Sequence, residues 1–121
     1  MGWLRGKHGE GQGGDIGPQE AEALVRGGAM LLDVREPAEW QAGHVRGAFH
    51  VPLGQLEDRV REVPRDRRVV VICRSGNRSA TATSLLVRAG FDVVNLRGGM
   101  QAWASSGLPV ETSDASPGTV A

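Results

Sequence analysis

The sequence predicts a single three-layer α/β domain built on a parallel sheet, and three features of the chain support this fold class. Short apolar runs rich in β-branched residues alternate with helix-like segments, as in repeated strand–helix–strand units. These runs are continuously apolar, which is typical of strands covered on both faces. The 121 residues suit one compact core rather than two. We therefore expect ligands to bind at the carboxyl ends of the strands.

The strongest strand signals lie in three apolar runs of the chain. They are residues 30–34 (MLLDV), 69–73 (VVVIC) and 93–96 (VVNL), and residues 49–51 (FHV) form a weaker candidate. Each run is four or five residues long, which is a usual strand length. The sequence therefore predicts three central strands and one marginal strand.

Helix signals fill the intervals between the predicted strands. Prolines stand at two expected first helical positions, and glycines stand where helices should stop. The predicted helices are residues 20–26 after Pro18, 38–42 after Pro37, 79–89 before Gly90, and 100–105 after Gly98–Gly99. An apolar stripe formed by Leu53, Leu56, Val60 and Val63 predicts a further amphipathic helix.

Both ends of the chain are poor in apolar residues. Residues 1–14 are rich in glycine, and residues 111–121 are small and polar. Such segments bury too little apolar surface to offset the entropy of ordering them. The sequence therefore predicts a flexible N-terminal tail over 1–14, a domain over 15–110 and a flexible C-terminal tail over 111–121.

Composition and charge exclude several classes of partner. Fourteen Lys and Arg balance fourteen Asp and Glu, so no overall field draws the protein to nucleic acid or anionic lipid. No apolar run is long enough to cross a bilayer, and the first residues lack the apolar core of a secretory signal. We expect a cytoplasmic protein that binds neither nucleic acid nor membrane.

The segment from Cys73 to Ser79 carries the clearest chemical signal. Cys73 is the only cysteine, which excludes an internal disulfide and a C-x-x-C metal or redox site. It directly follows the most apolar strand, and the loop after it contains Gly76 and runs straight into a helix. A helix amino end and a glycine-containing turn both direct N–H groups at a bound anion. The pattern predicts an anion cradle with a thiol at its mouth.

A thiol in such a cradle is expected to lose its proton readily. Arg74 and Arg78 lie close to it in sequence and should favour the thiolate, which is the nucleophilic form. Gly76 permits the turn, and Asn77 tolerates a left-handed conformation. The alternative is a structural cysteine that fills space at a strand end. The sequence of the loop favours the interpretation of Cys73 as a nucleophile.

Cys73-Arg74-Ser75-Gly76-Asn77-Arg78 resembles the active-site loop of rhodanese-like domains. Three other stretches resemble recurring segments of that family in the same order: LDVREP at 32–37, GHVRGA at 43–48 and LRGGMQAW at 96–103. The resemblance extends over about residues 17–110. It implies a rhodanese-like fold with about five parallel strands and helices on both faces of the sheet.

The resemblance also implies a thiosulfate sulfurtransferase activity with a ping-pong reaction. Cys73 would be the catalytic residue, taking sulfur from a small anionic donor such as thiosulfate and holding it as a persulfide. The acceptor would be cyanide in an assay, or a thiol or protein in the cell. Substrate-binding residues would be Arg74, Ser75, Gly76, Asn77, Arg78 and Ser79. No metal and no organic cofactor is expected.

Several polar and aromatic residues outside the loop are candidates for either support or structure. Asp33 ends a strand on the side of the expected site, and Arg35 follows it. The two residues either support the loop or form a buried polar network, and we favour the network. His44 is interpreted as structural, and His8 and His50 as bystanders. Trp40 and Trp103 are expected to face the core.

Two other functions are compatible with the pattern. A cysteine-dependent phosphatase or arsenate reductase requires an arginine after five intervening residues, but only four residues separate Cys73 from Arg78, and Ser79 holds the required position. A non-catalytic or sulfur-relay rhodanese-like binding module is the third hypothesis. The intact cysteine loop favours catalysis. The physiological donor and acceptor do not follow from the sequence.

Overall fold

The computed structural model describes residues 13–121 and contains five strands and four α-helices in that range. The strands are β1 (Asp15–Ile16), β2 (Met30–Asp33), β3 (Phe49–His50), β4 (Val69–Ile72) and β5 (Val93–Leu96). The helices are α1 (Pro18–Arg26), α2 (Pro37–Ala42), α3 (Asn77–Arg88) and α4 (Gly99–Ser105). Most of the predicted N-terminal tail, with His8, lies outside the described residues. Between residues 13 and 121, no helix combines the length and apolar character needed to span a bilayer.

The five strands form one parallel sheet in the order β1-β5-β4-β2-β3, which confirms the predicted fold class. From β2 the chain moves to β3 on one side, then crosses back past β2 to β4, and from β4 it continues to β5 on the other side. The connections that leave β2 and β4 therefore run in opposite directions along the carboxyl edge of the sheet. This is the position where open α/β sheets form a crevice for ligands.

Successive residues of the central strands pack on opposite faces of the sheet. Leu32 and Val71 belong to a core cluster that includes Leu86 of α3. Leu31 and Val70 belong to a second cluster with α1 and α4. Both faces are therefore buried, as the continuously apolar strand runs predict.

Strand β1 was not among the strands predicted from the sequence. Its pairing with β5 extends back to residues 13 and 14, which had been assigned to the N-terminal tail. The Gly13 N–H donates to the Val93 carbonyl at 2.7 Å, and the Gly14 carbonyl accepts from Asn95 at 2.8 Å. Residues 13 and 14 thus already pair with β5. A strand of two residues is too short to produce a periodic hydrophobic signal.

The predicted amphipathic helix over 53–63 is replaced by two 3₁₀ helices, Leu53–Gln55 and Val60–Glu62. Leu56 and Val63 are nevertheless buried, and the other two residues of the stripe, Leu53 and Val60, are partly buried against the same core cluster. Gly54 lowers helix propensity near the start of the segment, and short 3₁₀ turns still bring the apolar side chains inward.

The C-terminal segment, expected to be a flexible tail, packs against the domain. His44 and Glu111 exchange two backbone hydrogen bonds of 2.9 Å, and the Thr119 N–H donates to the Ala42 carbonyl at 2.9 Å. Val120 contacts the core cluster on the α1 and α4 side. Backbone hydrogen bonds account for much of this docking, and amino-acid composition does not reveal them. We call residues 111–121 the C-terminal strap.

Candidate active site

Cys73 directly follows the central strand β4 at the carboxyl edge of the sheet. Its side chain is almost fully buried and contributes to the core cluster beneath α3. Residues 74–76 form a tight loop, and α3 begins at Asn77. The left-handed residue of this turn is Gly76, with φ of +109°, whereas Asn77 is already helical. The left-handed conformation considered for Asn77 is therefore not used.

The start of α4 fixes the orientation of the loop peptides. The Met100 N–H donates to the Cys73 carbonyl at 2.8 Å, and the Gln101 N–H donates to the Arg74 carbonyl at 3.0 Å. In a planar trans peptide the N–H points opposite to the C=O. The Arg74 and Ser75 N–H groups that follow these carbonyls are thus directed away from α4, and the Ser75 N–H stabilises the thiolate of Cys73.

Two glycines allow α4 and the loop to approach this closely. A Cβ on Gly99 would overlap the Cys73 carbonyl oxygen and lie 2.7 Å from the Arg74 carbonyl group. A Cβ on Gly76 would lie 3.2 Å from the Gly98 nitrogen. Gly98–Gly99 were interpreted from the sequence only as the start of a helix. Two adjacent glycines can also indicate that two backbone segments approach closely.

The Cys73 sulfur accepts hydrogen bonds from the loop and from α3. The Gly76 N–H lies 3.1 Å from Sγ, and the Ser79 hydroxyl lies 3.3 Å from it. Burial raises the pKa of the thiol, but the Ser79 hydroxyl and the backbone N–H groups of Ser79, Gly76 and Ser75 lower it by more. The pKa of Cys73 therefore lies below its usual value, and the cradle stabilises a negatively charged sulfur.

Replacing Ser79 by alanine is expected to raise the pKa of Cys73. The hydroxyl donates to the thiolate but adds no comparable stabilisation to the neutral thiol, so its loss favours the protonated form. At neutral pH the thiolate fraction should fall. The measurement is thiolate absorbance against pH, with Ser84→Ala on the exposed side of α3 as the matched control. A Ser79→Ala titration that coincides with wild type would assign the shift to the backbone N–H groups alone.

Arg78 is held by the carboxylate of Glu39, which was not among the predicted site residues. Its two terminal nitrogens donate to the two Glu39 oxygens at 2.7 and 2.8 Å. The Arg78 guanidinium lowers the pKa of Glu39 to about 2, so the pair stays ionised at any pH where the thiolate forms. Glu39 thereby connects α2 to α3 beside the cradle. The partners are 39 positions apart in the sequence, and no local motif predicts such a pair.

Arg74 is exposed and has two partners. Its Nε–H donates to the Ala121 carbonyl at 2.7 Å. Its terminal nitrogens donate to the Gln101 amide oxygen at 3.0 and 3.3 Å when that oxygen faces the guanidinium. Both loop arginines thus have protein partners. The charges of the two arginines were expected to lower the pKa of Cys73. It is mainly lowered instead by the hydrogen bonds that its sulfur accepts.

Asp33 and Arg35 form a buried ion pair behind the site. The Arg35 Nη2 lies 2.7 Å from the Asp33 carboxylate, and both side chains are excluded from solvent. Arg35 also donates to the carbonyls of Glu39 and Gly43, at 3.2 and 2.8 Å. Arg35 therefore anchors the carboxyl-terminal half of α2 and fixes the backbone of Glu39, the partner of Arg78. Its direct contacts are those of a structural network.

The aromatic and histidine residues lie around α2 and α4. Trp40 stacks on His44 and on His50, with ring centroids 3.6 and 4.7 Å apart, so it lies half-buried between side chains rather than in the core. Trp103 is buried as expected, and its indole N–H donates to the Pro109 carbonyl. Within residues 13–121, no three His, Cys, Asp or Glu side chains are grouped as metal ligands would be.

Comparisons with known proteins agree with this geometry. The family model described as "Rhodanese-like domain" matches residues 17–106. A "Sulfurtransferase" of Allochromatium vinosum is 45% identical over 82 residues, covering 67% of this chain and 77% of that protein. "Thiosulfate sulfurtransferase GlpE" of Pseudomonas fluorescens is 37% identical, covering 84% and 94%. The crystal structure of a rhodanese-related protein from Thermoplasma volcanium has a TM-score of 0.76 at 33% identity, covering 79% and 95%.

Proposed function

The chain belongs to the rhodanese-like domain family, and from that premise we propose that it is a thiosulfate sulfurtransferase in which Cys73 carries the sulfur. The observation that supports this most directly is the buried Cys73 sulfur, which accepts hydrogen bonds from Gly76 and Ser79 and has a lowered pKa. Such a site combines a nucleophile with a fixed set of donors for a negatively charged sulfur.

In the first half-reaction the Cys73 thiolate attacks the outer sulfur of thiosulfate. An S–S bond forms to Cys73, the bond between the two thiosulfate sulfurs breaks, and sulfite leaves with that electron pair. The three negative charges of the reactants are conserved as one on the persulfide and two on sulfite. The outer persulfide sulfur takes over the charge, and the inward N–H groups of the loop stabilise it.

In the second half-reaction an acceptor removes the outer sulfur. Cyanide attacks it in the assay to give thiocyanate, and a thiolate attacks it in the cell to give a new persulfide. The Cys73 thiolate is regenerated in both cases, so the cycle uses no external oxidant or reductant. A cysteine that must stay free between turnovers suits a reducing compartment such as the cytoplasm.

The substrate-binding residues divide between backbone and side-chain functions. Ser75, Gly76 and Ser79 bind sulfur through N–H groups or a hydroxyl. Arg74 and Arg78 stand at the rim, where they attract the dianionic donor. Asn77 contributes as the first residue of α3, whose amino end faces the cradle. Asp33 and Arg35 support the site from behind through α2.

The alternatives make different demands on the same loop. A phosphate needs N–H groups around three oxygens and an arginine free to stabilise them. Here the loop is one residue shorter than that requires, and Arg78 is paired with Glu39. A sulfur-relay module would carry the same persulfide but pass it only to a protein acceptor, and a non-catalytic binding module would form no persulfide.

The purified protein is expected to transfer sulfur from thiosulfate to cyanide and not to hydrolyse para-nitrophenyl phosphate, because the short cradle accommodates one sulfur atom but not three phosphate oxygens. The measurement is thiocyanate formation beside nitrophenol release on one preparation. Phosphatase turnover that exceeds sulfur transfer and requires Cys73 would reverse the assignment. Persulfide formation without transfer to cyanide or thiols would favour the relay module.

A further inference from the structure

The C-terminal strap runs along the carboxyl edge of the sheet towards the Cys73 loop. It begins at Glu111, which pairs with His44 through its backbone and with Arg46 through an ion pair of 2.8 Å. After a turn, the Gly118 N–H donates a hydrogen bond to the Val110 carbonyl and the Thr119 N–H donates one to the Ala42 carbonyl, each at 2.9 Å. These contacts carry the strap past the end of α2. The matched family range ends at residue 106, before the strap begins.

Two glycines allow the strap to lie directly on the domain backbone. A Cβ on Gly43 would lie 2.5 Å from the Thr119 carbonyl oxygen and 2.7 Å from the Thr119 nitrogen. A Cβ on Gly118 would lie 2.8 Å from the Gly43 Cα and 3.0 Å from the Ala42 carbonyl oxygen. The docking therefore depends on a close backbone-to-backbone contact, and one added methyl group should disturb it.

The end of the strap contacts Arg74, the loop arginine that is not paired with Glu39. A guanidinium offers two edges for bidentate binding of an oxyanion, one at Nε and one at the two terminal nitrogens. On Arg74 the Ala121 carbonyl takes the Nε–H, and the Gln101 oxygen takes both terminal nitrogens. Neither edge is open to a donor anion in this arrangement.

We propose that the strap is a specificity element that acts through Arg74, and that an anionic sulfur donor binds by displacing the strap end from the Nε edge of this arginine. The proposal rests on the proposed function, since the donor is the anion concerned. Ala121 is a positioning residue in this scheme, because its carbonyl touches Arg74 and not the reacting sulfur.

The physical chemistry favours this exchange when the ligand carries two charges. Among the described residues Ala121 makes one hydrogen bond to the Nε edge of Arg74, whereas a sulfonate or sulfate group offers two oxygens to the same edge of a guanidinium. A dianion therefore displaces Ala121, whereas a neutral ligand gains little by doing so. The strap thus raises the threshold for donor binding and discriminates by charge.

The test is to undock the strap in two independent ways and measure donor affinity. Deletion of residues 119–121 removes the carbonyl that caps Arg74. Gly118→Ala keeps the chain length but adds the methyl group that the docked strap cannot accommodate. Both variants are expected to lower KM for thiosulfate about three- to tenfold, the equivalent of one hydrogen bond, with kcat unchanged. Ionic strength is held constant throughout, because the site is exposed.

A second measurement does not depend on turnover. Sulfate, an unreactive dianion, should protect Cys73 from iodoacetamide, and its half-protecting concentration should fall by the same factor in both variants. Tighter sulfate binding in a protein that transfers no sulfur would support the strap and reject the proposed function. Normal transfer with unchanged sulfate and thiosulfate affinities would reject the strap proposal alone.

Matched controls separate displacement from a general effect of the strap on stability. Ser113→Ala, on the exposed turn of the strap, should leave KM at the wild-type value. In an Arg74→Ala background, deletion of 119–121 should no longer change KM or sulfate binding. A gain in affinity that persists without Arg74, or a rise in KM on deletion, would overturn the proposal.

Discussion

Cys73→Ser is expected to fold like the wild-type protein and to transfer no sulfur from thiosulfate. Serine is close in size to cysteine and can accept the same hydrogen bonds from Gly76 and Ser79. Its hydroxyl does not ionise near neutral pH and forms no persulfide, so the first half-reaction has no nucleophile. Thiocyanate production should fall to the rate without enzyme.

Mass spectrometry provides the second measurement for this prediction. After thiosulfate treatment, the wild-type protein should gain one sulfur atom at Cys73, and Cys73→Ser should gain none. The thermal midpoints of the two proteins should be similar, which excludes unfolding as the cause. Turnover by the serine variant near the wild-type rate would mean that sulfur passes directly from donor to acceptor without an enzyme-bound intermediate.

The sequence predicted the central architecture because its signals are local. Residues 69–73 are apolar throughout and residues 93–96 are apolar except at Asn95, and such runs indicate strands buried on two faces. Strand β1 gave no such signal, since Asp15–Ile16 is two residues long and its pairing with β5 depends on contacts about eighty residues away. The docking of the C-terminal strap was missed for the same reason. It depends on backbone hydrogen bonds to residues 42–44, which amino-acid composition does not indicate.

The part of the candidate site that lies on one local segment could be predicted from its residue types and their spacing. Cys73, Gly76 and Ser79 lie on one strand–loop–helix unit, so their proximity follows from the fold class. The partners of the arginines were not predictable in this way. Glu39 reaches Arg78 from a different helix, and Ala121 reaches Arg74 from the strap. Both contacts are set by how separate segments pack, and a single sequence carries no local pattern for that.

The buried ion pair behind α2 should have a large effect on stability. Arg35→Ala is expected to lower the free energy of unfolding by about 3–5 kcal/mol, because it leaves the Asp33 carboxylate buried without its partner. It also removes the donors to the Glu39 and Gly43 carbonyls, so α2 loses its anchors and Glu39 its fixed position beside Arg78. Sulfur transfer should therefore fall as well. Urea unfolding monitored by tryptophan fluorescence measures the loss.

A double variant distinguishes the cost of a stranded charge from the value of the pair itself. Asp33→Leu combined with Arg35→Met replaces both charges with apolar groups, and buried ion pairs often tolerate such replacement. We expect this protein to be more stable than Arg35→Ala, since no isolated carboxylate remains. Its sulfur transfer should stay low, because the Glu39 and Gly43 carbonyls still lack the Arg35 donors. If Arg35→Ala cost less than about 1 kcal/mol, water would have to reach Asp33, and the pair would not be the anchor of α2.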